Sequence, residues 1–271
     1  MPSPVTRVAV PVDTRAPGGT TNAYLVDGLL VDPAARTAAL DAAVGVADAE
    51  VDDDRDTTAT IDAIAVTHAH PDHVGGVATY ADLTGAPVFA HAAHIDRFAD
   101  ATGIEPEGTF CGGDAVGEPT GDTAVRAVET PGHAPDHVAF AVGDVLLCGD
   151  LAVAEGSVAV GGPGANLRAY LDSLRRARDA GYDRLLPGHG PPISDPGATC
   201  QRLVDHRLER ERAVLAAVER GAADVGSVVD AAYQKDLTGA EDLARATVVA
   251  HLEKLLAEGK IGATWRDRLN D

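Results

Sequence analysis

Apolar and polar positions in the first two thirds of the chain fall into short β-branched or alternating runs, and in the last third into longer stripes at helical spacing. Val5 to Val12 and Thr21 to Val26 read as strands, and Asp27-Gly28 turns tightly into Leu29 to Asp32, which predicts a hairpin. Ile61 to Val66, Pro87 to Ala90, Val125 to Val128, His137 to Val142 and Val145 to Cys148 continue as strands, and Leu185-Leu186 ends the series. Helix-compatible stretches lie between them: the Ala-rich 34–50, Val77 to Leu83, and a stripe of Leu167, Tyr170, Leu171, Leu174 and Ala177 that Asn166 caps and Gly181 ends. Residues 51–58 read as a solvated acidic loop, 96–116 as irregular, and the small-residue run 152–165 as a mobile wall beside Asp150. After Pro191-Pro192 the composition turns helical, from Gln201 to Arg220, Val225 to Tyr233 and Glu241 to Glu258, with a turn at Gly259 and a short end containing Trp265. The pattern predicts an α/β domain over 1–198 and a small helical, winged-helix-like domain over 199–271.

The polar residues that interrupt this pattern stand at strand ends. Thr67-His68-Ala69-His70-Pro71-Asp72-His73 closes the apolar run from Ile61, and three imidazoles and a carboxylate this close together need a common partner if they turn inward. A divalent metal satisfies them together. His68 and His70, two apart, point the same way from extended backbone, while Asp72 and His73 come round the turn, so one string can feed two ions. His133 follows Thr130-Pro131-Gly132, Asp150 closes the strand ending in Cys148-Gly149, and His189 follows Pro187-Gly188. In open α/β sheets, ligands gather where strands end.

Taken in order, His-x-His-x-Asp-His, Pro-Gly-His, Gly-Asp and Pro-Gly-His resemble the metallo-β-lactamase superfamily of dinuclear metal hydrolases, over about residues 20 to 195. The resemblance implies a four-layer αββα sandwich. It also implies a first metal on His68, His70 and His133, a second on Asp72, His73 and His189, and Asp150 between them. Asp32, in Asp32-Pro33, reads either as a carboxylate that orients a ligand histidine or as a turn cap. His137, four residues after His133, reads equally as a substrate contact or as a brace. His91 and His94 lie outside the motifs and take ordinary polar roles. His206-Arg207, Arg210-Glu211 and the string Ala250 to Leu255 are similar to the β-lactamase-like protein 2 branch, which implies single-stranded RNA as one candidate substrate.

Composition changes this picture in few places. The net charge of −20, with Lys only at 235, 254 and 260, disfavours polyanion binding in dilute buffer and suits a salt-loaded cytosol. No basic stripe marks the last long helix, so nothing points to DNA, and its expected role is packing or formation of a homodimer. Cys111, Cys148 and Cys200 show no disulfide or zinc-knuckle spacing. The absence of any long apolar run or apolar leader gives the expectation of a cytoplasmic protein without a membrane span.

The expected chemistry is hydrolysis by two zinc ions, with iron or manganese admissible at one position, activating a shared water against an ester, thioester or phosphodiester. Asp72 would orient that water and pass its proton on. A glyoxalase-II-like thioesterase is the alternative, against which stands the lack of a Lys/Arg-rich thiol-cofactor clamp. A non-catalytic, metal-stabilised interaction module is the third reading.

Overall fold

The computed structural model describes residues 5–16, 18–46, 61–117, 124–233 and 236–269. Two sheets face each other. The first runs in sequence order through β1 (Thr6–Pro11), β2 (Thr20–Val26), β3 (Leu29–Val31), β4 (Ala63–Ala65), β5 (Val88–His91) and β6 (Gly108–Phe110). It is antiparallel across β1 to β3 and parallel from β3 onward. The second carries β7 (Arg126–Glu129), β8 (Val138–Val142), β9 (Val145–Gly149) and β10 (Arg184–Pro187) in the order β10-β9-β8-β7.

Alternation along the strands builds three apolar layers. Tyr24, Val26, Val31, Phe110, Phe140 and Leu147 meet between the sheets. The other face of the first sheet packs under α1 (Ala38–Val44), α2 (Pro71–Val74), α3 (Val77–Thr84) and α4 (Ile95–Thr102), through Leu40, Val77, Tyr80 and Phe98. The outer face of the second sheet packs under α5 (Leu167–Asp179) and the start of α6 (Pro196–Glu219), through Leu171, Leu174, Cys200 and Leu203. The arrangement is the expected four-layer αββα sandwich.

The helix α5 begins where the sequence places its cap, with the Asn166 Oδ1 accepting from the Ala169 N–H at 3.0 Å. Helix α6 begins earlier than the sequence pattern suggests. Asp195 caps it at Ala198 N–H (2.9 Å) and Pro196 occupies its first turn, where a missing N–H is harmless. The expected division at 198/199 therefore falls inside a continuous helix. Its first half belongs to the sandwich core and its second half, with Val214 and Ala217, joins α7 (Val225–Ala232), α8 (Glu241–Ala257) and α9 (Trp265–Arg268) in a separate apolar cluster. No strand follows α8 among the described residues, so the wing is replaced there by α9 around buried Trp265.

Two further expectations change. The stretch 96–116 contains most of α4 and all of β6: Gly103, Pro106 and Gly108 punctuate it, but Phe98, 2% exposed, anchors two helical turns before them. The acidic stretch 51–58 and the end of the 34–50 helix lie outside the described residues. Among those described, no helix is long and apolar enough to cross a membrane.

Candidate metal centre

All seven donors singled out by the sequence come to one edge of the sandwich, where β4, β9 and β10 end. The ligand atoms of His68, His70 and His133 lie within 4.8 Å of one another, as do those of His68, His73 and Asp150, and those of Asp72, His73 and His189. The atoms that face each other are defined: His68 Nε2 and His133 Nε2 each stand 2.9 Å from His70 Nδ1. Asp150 divides its oxygens between the groups, with Oδ2 3.5 Å from His133 Nε2 and Oδ1 3.6 Å from His73 Nε2 and 3.5 Å from His189 Nε2.

The outward nitrogens explain why these inward ones carry lone pairs. His73 Nδ1 meets Asp32 Oδ2 at 2.9 Å, His133 Nδ1 the Ala159 carbonyl at 2.8 Å, and His189 Nδ1 the Thr20 carbonyl at 2.9 Å. Each of those partners only accepts, so each imidazole donates outward from Nδ1 and turns its Nε2 into the cluster. Thr67 Oγ1 gives its proton to Asp32 Oδ2 (2.8 Å) and so accepts from His68 Nδ1 (3.1 Å). Asp32 thus orients two histidines, which settles its two sequence readings in favour of the orienting carboxylate, and it does so from a left-handed backbone, φ 52°.

Glycines allow this crowding. A Cβ on Gly149, φ 47°, would come 2.8 Å from both Thr67 and His137, and one on Gly188 would come 2.7 Å from Asp150 Oδ1.

Electrostatics follow from burial and proximity. Burial and the neighbouring imidazoles push His68 well below its ordinary value and His70 to about 4, so both are neutral at pH 7. Burial opposes charge on His73 as well, but Asp150 and Asp32 outweigh it and raise the ring to about 9, so without an ion a proton sits between these acids where a bound cation would take its place. Asp150 is pushed up by burial and pulled further down by His73, His189 and His133, which hold it below the usual carboxylate range.

The cage fits a divalent ion by a direct test. His73 Nε2 and Asp150 Oδ1 are buried without a hydrogen-bond partner, although both point into the cluster. Orphaned buried polar atoms cost roughly 1–3 kcal/mol each, and mixed imidazole and carboxylate donors are what zinc, iron or manganese accept.

His137 is not a substrate contact. It is 1% exposed, its Nε2 accepts from the Asp150 N–H at 3.0 Å, and its Nδ1 is occupied by Thr130 at 2.9–3.0 Å, so neither nitrogen is left for a ligand. It braces Asp150. His91 pairs with Glu129 at 2.9 Å, apart from the cage.

Sequence reasoning missed several supports. Thr14 Oγ1 donates to Asp72 Oδ2 at 2.7 Å. Asp136 accepts from the Ala69 N–H (2.7 Å) and from Arg97 (2.8 Å), tying down the metal loop. Asn22 and Tyr24 both donate to the Pro187 carbonyl, which positions the turn before His189. The run 152–165 is a wall of the site, as expected, but a tethered one: Arg202 donates to the carbonyls of Val153, Ala154 and Gly156, and buried Arg207 to that of Val158.

The donors open into a cavity of about 730 Å³ that His70, Asp72, His133, Asp150 and His189 line on one side. A dinuclear donor cage at the strand ends of an αββα sandwich, facing such a cavity, defines a class of metal-dependent hydrolases. The chain belongs to the metallo-beta-lactamase superfamily, whose family profile matches residues 16–189.

Within that superfamily it is similar to the Beta-lactamase-like protein 2 homolog of Drosophila melanogaster, 32% identical over 217 residues, covering 75% of this chain and 71% of that protein. It is also similar to an Atrochrysone carboxyl ACP thioesterase of Aspergillus fumigatus, 30% identical over 190 residues, covering 65% of this chain and 54% of that protein. The chain thus spans about half the length of the thioesterase it matches. Among solved structures, a metallo-beta-lactamase family protein from Thermus thermophilus superposes with a TM-score of 0.73 at 27% identity, over 95% of both chains. The chain is a metal-dependent hydrolase of this superfamily.

Proposed function

We propose that the cage holds two zinc ions and that the enzyme hydrolyses an ester, thioester or phosphodiester. His68, His70 and His133 hold the first ion, Asp72, His73 and His189 the second, and Asp150 serves both. The observation that carries this reading is the split of Asp150, whose two oxygens face different histidines while Oδ1 has no hydrogen-bond partner. Zinc bound there supplies Lewis-acid polarisation and makes a water acidic enough to attack at neutral pH.

The chain's own residues do the rest. Asp72 lines the cavity and Thr14 holds its carboxylate in place there, from where it takes the proton of the attacking water and returns it to the leaving group. Asp32 and Thr67 hold the outward nitrogens of His73 and His68, so that the Nε2 of each faces the cage, and His137 fixes the backbone from which Asp150 projects. An open cavity against the donors supports catalysis over a non-catalytic module, because closed structural zinc sites leave no such approach. The thioesterase named among the relatives favours carbonyl substrates as the narrower reading. The acid-rich surface supports a cytoplasmic setting of high salt.

Metal-replete protein assayed against acetyl thioester, p-nitrophenyl acetate and bis(p-nitrophenyl) phosphate tests the proposal. At least one should turn over, with a loss of more than about 10³-fold in Asp72→Ala, some 4 kcal/mol in activation free energy. No turnover of any, or wild-type-like turnover in Asp72→Ala, rejects it.

A further inference from the structure

The cavity is lined by two unlike sets of residues. Besides the donors, Val153, Ala154 and Val158 from the loop after β9 and Leu243 from the first turn of α8 line it as an apolar wall. Leu243 takes no part in the apolar cluster that holds the C-terminal helices together, and is only half-buried. A large apolar side chain placed at a cavity rather than in the available core is more readily explained by a ligand than by packing.

The loop backbone is made to fit this role. Arg202 takes up the carbonyls of Val153, Ala154 and Gly156, and Arg207 takes up that of Val158. Acceptors that would otherwise seek water are engaged by helix α6, which lets an apolar ligand lie against the loop without stranding them.

Charge points the same way. Arg15 is the one Lys or Arg among the described lining residues, and Asp242 already holds its Nη1 at 2.6 and 2.7 Å. Glu155 adds a negative group to the same cavity, on a chain of net charge −20. Beyond the ions proposed for the cage, a phosphodiester backbone would draw on free side-chain cations along the cavity, and an uncharged chain needs none.

We infer that this wall is an acyl-chain site, and that the substrate is a thioester or ester whose acyl group is an uncharged apolar chain. The inference rests on the hydrolase reading above and narrows it. Water adds its oxygen to the carbonyl carbon, the carbon–sulfur bond breaks, and the leaving thiolate takes the proton that Asp72 carries, giving a carboxylic acid and a thiol. About 730 Å³ is within the range of cavities that enclose ligands of medium size.

The test uses the metal-replete full chain with acetyl, butanoyl, hexanoyl and octanoyl thioesters of N-acetylcysteamine, and with a single-stranded RNA oligomer. kcat/KM should rise up to about fourfold per added methylene until the wall is filled, the conversion of about 0.8 kcal/mol per buried CH₂. Leu243→Asp should lower the octanoyl-to-acetyl ratio of kcat/KM by about tenfold or more, and Leu243→Met should keep it. Asp is well tolerated in a first helical turn, so the variant should fold, and circular dichroism verifies that it does. A flat chain-length dependence, an unchanged ratio in folded Leu243→Asp, or RNA cleavage at a higher kcat/KM than any thioester overturns the acyl-chain site and leaves the hydrolase standing. Absence of turnover on every substrate, the phosphodiester included, overturns both.

Discussion

Two buried clusters of acids and imidazoles occur in this chain, and they are built on opposite logic. In the cage, His73 lies between Asp32 and Asp150, and no Lys or Arg among the described residues pairs with Asp32, Asp72 or Asp150. In the C-terminal helices, Glu211 of α6 meets Lys254 at 2.7 Å and Lys260 at 3.5 Å, and Glu258 meets the same two lysines at 2.9 and 2.7 Å. Those positions use every lysine of the chain but Lys235. The helical cluster brings its own cations. The cage has no Lys or Arg, and its converging ring nitrogens and carboxylate oxygens call for a cation from outside. Burial of acid and histidine therefore does not by itself mark a metal site, whereas convergence of lone pairs without a protein cation does.

The contrast is sharpest at Asp150. Asp150→Asn should cut kcat/KM by more than about 10³-fold and lower the divalent-metal content to one ion per chain or fewer, measured on the same preparation. A variant that keeps both ions and turnover would erase the distinction between the clusters.

Arg207 connects the two regions, since it lies on α6 four residues before Glu211 and donates to Val158, next to the carbonyl that holds His133. It also lies 5.9 Å over the Tyr170 ring, whose hydroxyl donates to the Leu151 carbonyl beside Asp150. Arg207→Met should weaken zinc binding about 10–100-fold in competition with a chromophoric chelator, the usual effect of losing a support behind a ligand. Unchanged affinity would show that the helices do not act on the cage.

Glu211 tests the helical side. Burial pushes its carboxyl up, but Lys254 and Lys260 outweigh burial and hold it at about 2, below the ordinary 4.5. A depressed carboxyl stabilises the fold above its unfolded value and loses that contribution as pH falls toward the folded one. Glu211→Gln should therefore lower unfolding free energy by about 1–3 kcal/mol at pH 7, with the gap from wild type closing between about pH 4.5 and pH 2. A gap independent of pH would mean that the charge on Glu211 is not what matters.

The smallest effect belongs to His251, which is fully buried with neither ring nitrogen hydrogen-bonded and is kept neutral by burial. His251→Leu should change stability by less than about 1 kcal/mol and leave zinc content alone, because an unsatisfied polar ring is exchanged for an apolar group. Loss of metal in this variant would contradict the separation of the two clusters.

What the sequence made legible was whatever is encoded locally. His68, His70, Asp72 and His73 share one turn, and His133, Asp150 and His189 each follow a strand and a glycine, so pattern alone located all seven donors. The sandwich was legible because its strands alternate and its helix α5 has both a cap and a stripe. Supports made by residues far apart in the chain were not: Thr14 reaches Asp72, and Arg97 reaches Asp136, across separations that no spacing rule covers. The 152–165 run looked mobile because its own residues are small, while the groups that tether it, Arg202 and Arg207, stand on a helix some 50 positions later. Pro191-Pro192 looked like a break between domains, yet the chain resumes as α6 within a few residues and threads one helix through both cores.

Elemental analysis of the full-length, metal-replete chain after removal of free metal tests the central claim most directly. The convergence of His68, His70, Asp72, His73, His133, Asp150 and His189 predicts two divalent ions per chain. Fewer than one ion per chain would contradict it.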